Sequence, residues 1–527
     1  MPPVLIKRRL FLRASAVTVA GVASAAVLAA CGGATSVAAT VATGSSASAV
    51  ASASAALTTA ATASASQSSQ ATTTASAVAS TTASSVASTT QSAVSTAAPT
   101  SSAAAKPATS GVTITWWSGW GSGGIAGQTF DQVAAAANQA ALGFTVQHQP
   151  QSSVAKKLAT VIAAGTPPDV EVGNLSYPEF WATGQATALD SYLAKSQTLK
   201  KEDLLDTSWK FGTYKGHTFG VPAAEAFVRW GTVANTDLLA KRGLDPAQLP
   251  TNWSDLLEWH KELTVVDPST KAITQLGLDP LDAMGGSASG GDPFFWGPSF
   301  GLGTGYYDEG AEKFNLVTPQ LTDALTTIKS FYDAAGGYAA VQTFRKTNDT
   351  WTGTKAGIVV GTQAIQVNGY WTPGALAKVA PTKHYTYTWA PVSADRKGTK
   401  MQSTGGHFAV LPKGSPHPDQ AFAMAEFLTT EPAEKIMFDG EGFLGARKSY
   451  LQKVDAKQYP GIDFYLQSAT TASELWADPV DPIEGFFSDN WQTLYTKVFQ
   501  GQLTPQDALS QLQQLCTVQL AKQLGKS

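Results

Sequence analysis

The sequence contains few cysteines and few histidines. Its two cysteines, Cys31 and Cys516, lie far apart in a chain of 527 residues, so no disulfide framework is implied. The six histidines are scattered, with no pair four residues apart and no Cys/His cluster, which argues against a metal site. Outside the N-terminus, no stretch is long and apolar enough to span a bilayer.

Charged residues are also scarce, at 14% of the chain. The formal net charge is −3, which gives no reason to expect binding to nucleic acid. A chain of this length exceeds one ordinary domain, so we expect two lobes or more. Tryptophan, in contrast, is abundant, with 14 residues, and an exposed tryptophan is a common platform for sugar rings.

The first thirty residues have the pattern of an export signal. KRRLFLR at residues 7–13 resembles a twin-arginine motif, an uncharged apolar run follows, and LAAC at residues 28–31 resembles a lipobox. We therefore expect residues 1–30 to be a lipoprotein signal peptide and Cys31 to be lipidated. Cleavage there would give stable anchoring through a diacylated cysteine. The alternative is an uncleaved membrane anchor. The sequence does not decide between twin-arginine and general secretory export.

Residues 31–110 consist almost wholly of Ala, Ser, Thr and Val, with no aromatic residue. Such a composition cannot bury enough apolar surface to form a core, so we predict a disordered tether. Whether its hydroxyl groups are glycosylated stays open. Removing the signal leaves 32 basic against 39 acidic residues, which suits an extracytoplasmic protein.

From residue 111 onward the hydrophobic pattern alternates between the strand period and the helix period. Residues 112–117 and 144–148 read as strands, and residues 129–142 and 152–164 as helices. This rhythm predicts parallel strands with helices on both faces of a sheet. Residues 355–360 are predicted to begin another strand. The last helix, residues 505–520, places Cys516 on its apolar stripe, so we expect that thiol to be a core side chain.

The most informative stretch spans residues 214–253. Two short strands meet at a small-residue elbow, AAEA at 223–226, which suggests a chain crossing between lobes. Asn235 is predicted to cap a short helix over residues 236–242, which Gly243 ends.

This stretch carries a family resemblance. GVP at 220–222, Glu225 and NTDLLAKRGL at 235–244 resemble, in this order, the family 1 extracellular solute-binding proteins of sugar-importing ABC transporters, of the maltose-binding type. AGTPPDV at 164–170 and NGYW at 368–371 are similar to other motifs of that family. The resemblance covers about 112–527.

The resemblance implies an α/β, bilobal periplasmic-binding-protein type II fold. Two open sheets flanked by helices would be joined by hinge crossings, with the ligand held between the lobes. The expected first lobe is residues 111–222 with 390–432. The expected second lobe is residues 223–389 with 433–527.

The resemblance also implies a binding site. Glu225 stands where maltose-binding relatives have a ligand-contacting glutamate, Asp292 and the aromatics after it match an acid-then-aromatic ligand segment, and Trp371 stands where relatives stack a tryptophan on the sugar. The predicted ligand-binding residues are Trp117, Trp120, Asn174, Tyr177, Glu225, Asp292, Phe294, Trp296, Trp371 and Gly405. We predict no catalytic residue, no cofactor and no metal.

Two catalytic motifs are incomplete. Residues 119–124 satisfy G-x-G-x-x-G, but a dinucleotide site also needs an acid at the end of the second strand, and QHQ stands at 147–149. GSASG at 286–290 has alanine where a hydrolase nucleophile would stand.

The sequence predicts a lipid-anchored extracytoplasmic protein, a monomer, that captures a carbohydrate and delivers it to an ABC permease. Two alternatives stay open. One is a secreted glycoside hydrolase that uses Glu225 and Asp292 as its carboxyl pair. The other is a binding protein for a non-sugar solute such as a polyamine or a phosphorylated glycerol.

Overall fold

Two five-stranded β-sheets with helices packed against them form the framework. The computed structural model describes residues 111–151, 154–173, 177–283, 293–477 and 479–526. The strands in chain order are β1 (Thr113–Ser118), β2 (Thr145–Pro150), β3 (Val170–Val172), β4 (Thr213–Tyr214), β5 (His217–Thr218), β6 (Gly220–Ala224), β7 (Gly231–Asn235), β8 (Val265–Val266), β9 (Ile273–Leu278), β10 (Tyr307–Asp308), β11 (Lys313–Phe314), β12 (Gln363–Asn368), β13 (Tyr385–Thr388), β14 (Met401–Thr404), β15 (His407–Val410) and β16 (Glu474–Ala477).

The helices alternate with these strands along the chain. They are α1 (Ile125–Gln139), α2 (Val154–Ala163), α3 (Tyr177–Ala182), α4 (Asp190–Lys195), α5 (Thr236–Ala240), α6 (Trp253–Leu263), α7 (Pro293–Ser299), α8 (Pro319–Ala334), α9 (Tyr338–Arg345), α10 (Gly357–Val360), α11 (Thr372–Val379), α12 (Pro418–Leu428), α13 (Glu431–Glu441), α14 (Lys448–Leu451), α15 (Ile462–Thr471), α16 (Glu484–Phe499) and α17 (Pro505–Gln523). No helix in these described ranges is both long and apolar enough to cross a membrane.

The first sheet has the strand order β2-β1-β3-β15-β6. Its N-terminal strands β1, β2 and β3 run parallel, as the alternating strand and helix pattern predicted. The later strand β15 enters between β3 and β6 and runs antiparallel to both. The sheet is therefore completed by a segment more than 180 residues further along the chain than β6.

The second sheet has the order β13-β7-β12-β9-β8. The strand predicted over residues 355–360 is wrong, because the structure has helix α10 there and β12 begins only at Gln363. Gly361, at φ +84°, ends α10 and turns the chain back, so that a Cβ on Gly357 would lie 2.8 Å from the Cβ of Gln363. This tight local turn overrides the strand propensity of the β-branched residues Ile358, Val359 and Val360.

Two chain crossings run side by side between the sheets. The backbone of Trp230, just before β7, is held by the Gln402 side chain, whose Oε1 accepts from its N–H at 2.9 Å and whose Nε2 donates to its carbonyl at 2.7 Å. The Arg229 N–H donates to the Ser403 carbonyl at 3.0 Å. These hydrogen bonds join the two segments into one connection between the sheets.

Several local predictions are confirmed. The Asn235 side chain accepts from the backbone N–H groups of Asp237 and Leu238, although the helix ends at Ala240. Cys516 is fully buried on α17, and burial raises the pKa of its thiol.

The bilobal α/β fold is confirmed, while the exact lobe boundaries stay our proposal. Helix α13, near the boundary expected at residue 432, packs against α1 and α11. The predicted signal peptide, the tether and Cys31 lie outside the described residues.

Candidate functional site

A cavity of about 330 Å³ lies where loops of the two sheets meet. Small-molecule sites usually measure roughly 300–1,000 Å³, so this cavity suits a small ligand. Its lining residues come from the loops after β1, β3 and β12, from the β6–β7 crossing, from the loop between α9 and α10, from the first residue of β15, and from the end of α13 and the segment after it. They are Gly119, Trp120, Gly173, Glu225, Arg229, Trp351, Thr352, Trp371, His407, Glu441 and Phe443.

The glycines at the ends of β1 and β3 press two backbones together. A Cβ on Gly119 would lie 2.6 Å from the Gly173 carbonyl oxygen, so neither loop has room for a side chain there. Gly173 also has φ +111°, a region that favours glycine. These two glycines therefore allow the loops after β1 and β3 to approach each other closely.

An acid–imidazole pair lies at the crossing between β6 and β7. The Glu225 Oε2 atom is 2.8 Å from His407 Nε2, and the two side chains are only 11% and 12% exposed. Glu225 has φ +50°, a backbone conformation that costs free energy for a non-glycine residue and is found more often at functional sites. The other ring nitrogen of His407, Nδ1, is buried without a hydrogen-bond partner in the part of the chain that the structure describes.

A second carboxyl, Glu441, reaches the cavity from the last position of α13. Burial, and secondarily the charge of Glu225, raises its pKa to about 8, while Lys378 opposes the shift. Its Oε2 atom has no hydrogen-bond partner within the described ranges. At neutral pH this group keeps its proton, so it can donate a hydrogen bond where an ionised carboxylate can only accept.

Aromatic rings line the cavity from both sheets. Trp120 follows β1 and packs against Phe130, with ring centroids 4.5 Å apart, and against the edge of His407 at 4.7 Å. On the other side, Trp351 and Trp371 lie 6.0 Å apart and are inclined by 38°. A ligand between these rings would contact both lobes.

Three of the predicted site residues line the cavity: Trp120, Glu225 and Trp371. Trp117 and Gly405 lie outside its lining, and the Trp117 Nε1 instead donates to Gln149 Oε1 at 3.0 Å. The predicted contacts Asn174 and Asp292, and the side chain of Phe294, lie outside the described residues.

Two predicted contacts are corrected to core positions. Trp296 is 0% exposed and packs against Trp491 and Tyr495, so no ligand reaches its ring. Tyr177 is 1% exposed, and its hydroxyl accepts from the Gly173 N–H and donates to the Phe408 carbonyl. Its hydroxyl therefore supports a cavity loop and is not offered to the ligand.

Sequence reasoning missed eight of the eleven lining residues. The missed residues are Gly119, Gly173, Arg229, Trp351, Thr352, His407, Glu441 and Phe443. His407 stands two residues after the predicted Gly405, and Arg229 four after Glu225, so proximity in the chain was a usable signal for these two. Nothing in the sequence near Glu441 or Trp351 indicates that they meet Glu225.

Within the residues that the structure describes, no group of three or more His, Cys, Asp or Glu side chains is placed to hold a metal ion. The candidate site is thus a set of aromatic faces with two carboxyls, one imidazole and one guanidinium.

The free energy of unfolding is expected to fall as pH rises from about 6.5 to 8. Burial raises the pKa of Glu434 and Glu441 to about 8 and that of Asp481 to about 7. Unfolded carboxyls have pKa values near 4, so in this window the folded state binds more protons than the unfolded state. His260, whose pKa burial lowers to about 4, acts in the opposite direction, chiefly below about pH 6.5.

Denaturant unfolding at pH 6.5, 7.25 and 8 measures this slope. Glu434→Gln is the matched control, because it keeps the acceptor for the Arg447 N–H and removes one titrating group, so its slope should be shallower. A midpoint that rises with pH would contradict the prediction.

The comparisons with known proteins concern the family and the fold. The sequence profile described as bacterial extracellular solute-binding protein matches residues 120–435. No curated protein sequence matches the chain significantly.

Several solved structures share the fold. CpMnBP1 with mannotriose bound has a TM-score of 0.68 and 20% identity, covering 77% of this chain and 100% of that one. An ABC substrate-binding protein from Listeria monocytogenes in complex with cycloalternan has a TM-score of 0.62 and 19% identity, covering 79% and 100%. The maltose/maltodextrin-binding domain MalE from Bdellovibrio bacteriovorus, bound to maltotriose, has a TM-score of 0.60 and 18% identity, covering 78% and 100%.

The matched profile covers more than half of the chain, and the fold of these structures is the one found here. This chain therefore belongs to the bacterial extracellular solute-binding protein family.

Proposed function

We propose that this protein captures a short carbohydrate in the cavity between its sheets and delivers it to the permease of an ABC importer. The observation that supports this most is the pairing of aromatic faces from both lobes with polar groups at one cavity. Aromatic rings stack on the apolar C–H face of a pyranose, and carboxyl, imidazole and guanidinium groups bind its hydroxyls. Structures of similar fold contain mannotriose, cycloalternan and maltotriose.

Four side chains of the lining can form hydrogen bonds with a ligand. Arg229 donates only, Glu225 accepts, and Glu441 in its protonated form does both. His407, whose Nε2 atom pairs with Glu225 Oε2, brings an imidazole to the same lining. A cavity of 330 Å³ favours one or two sugar rings over a long chain.

Capture requires no chemical step. A ligand that touches Trp120 on one side and Trp371 on the other binds the closed arrangement better than the open one, so it shifts the hinge equilibrium towards closure. The permease would then recognise the closed shape. Lipidation of Cys31 would keep the protein at the outer face of the cytoplasmic membrane, with residues 31–110 as the tether.

A panel of mono- and oligosaccharides, including mannotriose and maltotriose, tests the proposal by thermal unfolding. A sugar at about a hundred times its dissociation constant adds roughly 2.7 kcal/mol of stability, which raises the melting temperature by several degrees. Recovery of the sugar intact would support capture. A flat panel would overturn the carbohydrate assignment and direct the search to polyamines and phosphates.

One observation favours an enzyme as the second candidate. Glu441 and Glu225 are two carboxyls at one cavity, and burial raises the pKa of Glu441 to about 8, as the general acid of a glycosidase requires. Chromatography of each stabilising sugar after prolonged incubation with the protein distinguishes binding from hydrolysis. Cleavage that disappears in Glu441→Gln would establish a hydrolase.

A further inference from the structure

A buried carboxylate outside the cavity contacts the backbone of one of its tryptophans. Asp282 follows β9 and is 1% exposed. Its Oδ1 atom accepts from the Trp351 N–H at 2.8 Å, and its Oδ2 atom accepts from Gln366 Nε2 at 2.5 Å. Burial raises the pKa of Asp282 to about 6, so the group is mostly ionised at pH 7 and acts only as an acceptor.

The carboxylate sets the direction of a chain of hydrogen bonds along β12. Because Asp282 only accepts, Gln366 must turn its Nε2 towards it, and the same Nε2 donates to the Trp351 carbonyl at 2.8 Å. The Gln366 Oε1 atom is then left to accept from Asn368 Nδ2 at 3.1 Å. The Asn368 Oδ1 atom in turn accepts from the Gly369 N–H at 2.8 Å. We call these bonds the amide relay.

Each end of the amide relay supports an aromatic ring of the cavity. Trp351 has φ +64°, which is unfavourable for a bulky residue, so its backbone needs outside support, and both its N–H and its carbonyl are held by these side chains. At the other end, the Trp371 ring lies over Gly369 so closely that a Cβ there would be 2.2 Å from it. The position of the Gly369 backbone therefore decides where the Trp371 ring sits.

A neighbouring carboxylate has a different role. Asp279 pairs with Arg345 and accepts from the Tyr332 hydroxyl at 3.1 Å, which ties β9 to α8 and α9. That cluster stabilises the lobe, and in the described part of the chain no hydrogen bond joins it to Trp351 or Gly369. The two acids are three residues apart, and the Asp282 N–H donates to the Asp279 carbonyl at 3.0 Å, but the hydrogen bond to Trp351 comes from Asp282.

We propose that Asp282 is a positioning residue for the binding site, which through the amide relay holds Trp351 and Trp371 in the orientation that receives the ligand. The proposal rests on the proposed function for the identity of the ligand. The positioning itself is measurable without any ligand.

Fluorine NMR of the full chain labelled with 5-fluorotryptophan provides that measurement. Trp351→Phe and Trp371→Phe assign the two resonances. In Asp282→Asn the new NH₂ group faces Gln366 Nε2, so two hydrogen-bond donors face each other. The donor-to-acceptor direction of the bonds in the amide relay then has to reverse. We expect both tryptophan resonances to shift or broaden.

Asp481→Asn is the matched control. Asp481 is also a buried aspartate with a raised pKa, but its carboxylate accepts from the Ile483 N–H, outside the cavity lining. Both assigned resonances should keep their wild-type positions in this variant. Unmoved resonances in folded Asp282→Asn, or equal movement in Asp481→Asn, would overturn the proposal.

Two further variants separate the two ends of the relay. The double variant Asp282→Asn/Gln366→Glu restores a hydrogen bond between residues 282 and 366, now with residue 282 as the donor. The carboxylate at 366 still accepts from Asn368. The Trp351 carbonyl, however, loses its donor. The Trp371 resonance should return and the Trp351 resonance should stay displaced. Asn368→Ala should shift the Trp371 resonance and leave the Trp351 resonance in place. This variant also tests the proposal if Asp282→Asn does not fold. An unshifted Trp371 resonance would overturn the amide relay.

Titration of the same labelled protein with mannobiose, maltose, mannotriose and maltotriose keeps the two proposals distinguishable. If none of these sugars moves any resonance while Asp282→Asn moves both, the positioning role holds and the carbohydrate assignment fails. If a sugar moves the Trp351 and Trp371 resonances and Asp282→Asn leaves them in place, the carbohydrate assignment holds and the positioning role fails.

Discussion

Trp371→Ala is expected to weaken carbohydrate binding about thirtyfold, or about 2 kcal/mol, the loss seen when a central aromatic contact is truncated. The ring is 7% exposed and packs against Tyr370, with centroids 5.4 Å apart, as well as over Gly369. It is thus already rigid before the ligand arrives, and little entropy is lost on stacking.

Isothermal titration at 25 °C, with the sugar that gives the largest thermal shift, measures this effect. Trp389→Ala is the matched control. Trp389 is half-buried and likewise packs against an aromatic ring, Phe464, with centroids 5.5 Å apart, but it lies outside the cavity lining. Its removal costs packing and should leave the affinity within about twofold of wild type. Equal losses in the two variants would contradict a role for Trp371 in stacking.

Gly406→Ala is expected to lower the free energy of unfolding by about 3 kcal/mol or more, because overpacking and backbone strain act together. Gly406 has φ +144°, and a Cβ there would lie 2.1 Å from the Glu225 carbonyl oxygen. Relief of this clash has to move either the crossing segment or β15. Since Glu225 and His407 lie on these two segments, the variant should also lose ligand affinity.

Gly398→Ala separates the two causes of this destabilisation. Gly398 has φ +96°, but nothing lies within 4 Å of a Cβ built there. It should therefore show only the conformational cost, about 1 kcal/mol. Guanidinium unfolding at 25 °C compares the two variants. A similar loss for both would mean that the contact with Glu225 is not responsible.

The fold was largely predictable because it depends on local patterns. Strands β1 to β3 alternate with α1 and α2 in the sequence, and parallel strands with helical connections have few arrangements. The cap at Asn235 is equally local, since its side chain reaches backbone groups only two and three residues away. Residues 355–360 are the exception, because Gly361 turns the chain back so that Gly357 lies against Gln363, and the segment forms α10.

Aromatic residues were harder to assign than strands. Trp120, Trp296 and Trp371 all looked like ligand contacts in the sequence, yet Trp296 is a core side chain against Trp491. A tryptophan packs in a core or against a sugar with the same apolar face, so residue type does not separate the two roles. Only the position of the group that packs against its ring separates a core tryptophan from a ligand contact.

The N-terminal strands and helices, the family and one chain crossing were predictable from the sequence, because these depend on periodicity and on motifs within a few tens of residues. The tertiary structure alone decided which groups meet in the cavity. His407 pairs with Glu225 across 182 positions because β15 inserts beside β6, and Glu441 joins them because α13 ends there. Burial, which raises the pKa of Glu441 to about 8, exists only once the chain is folded.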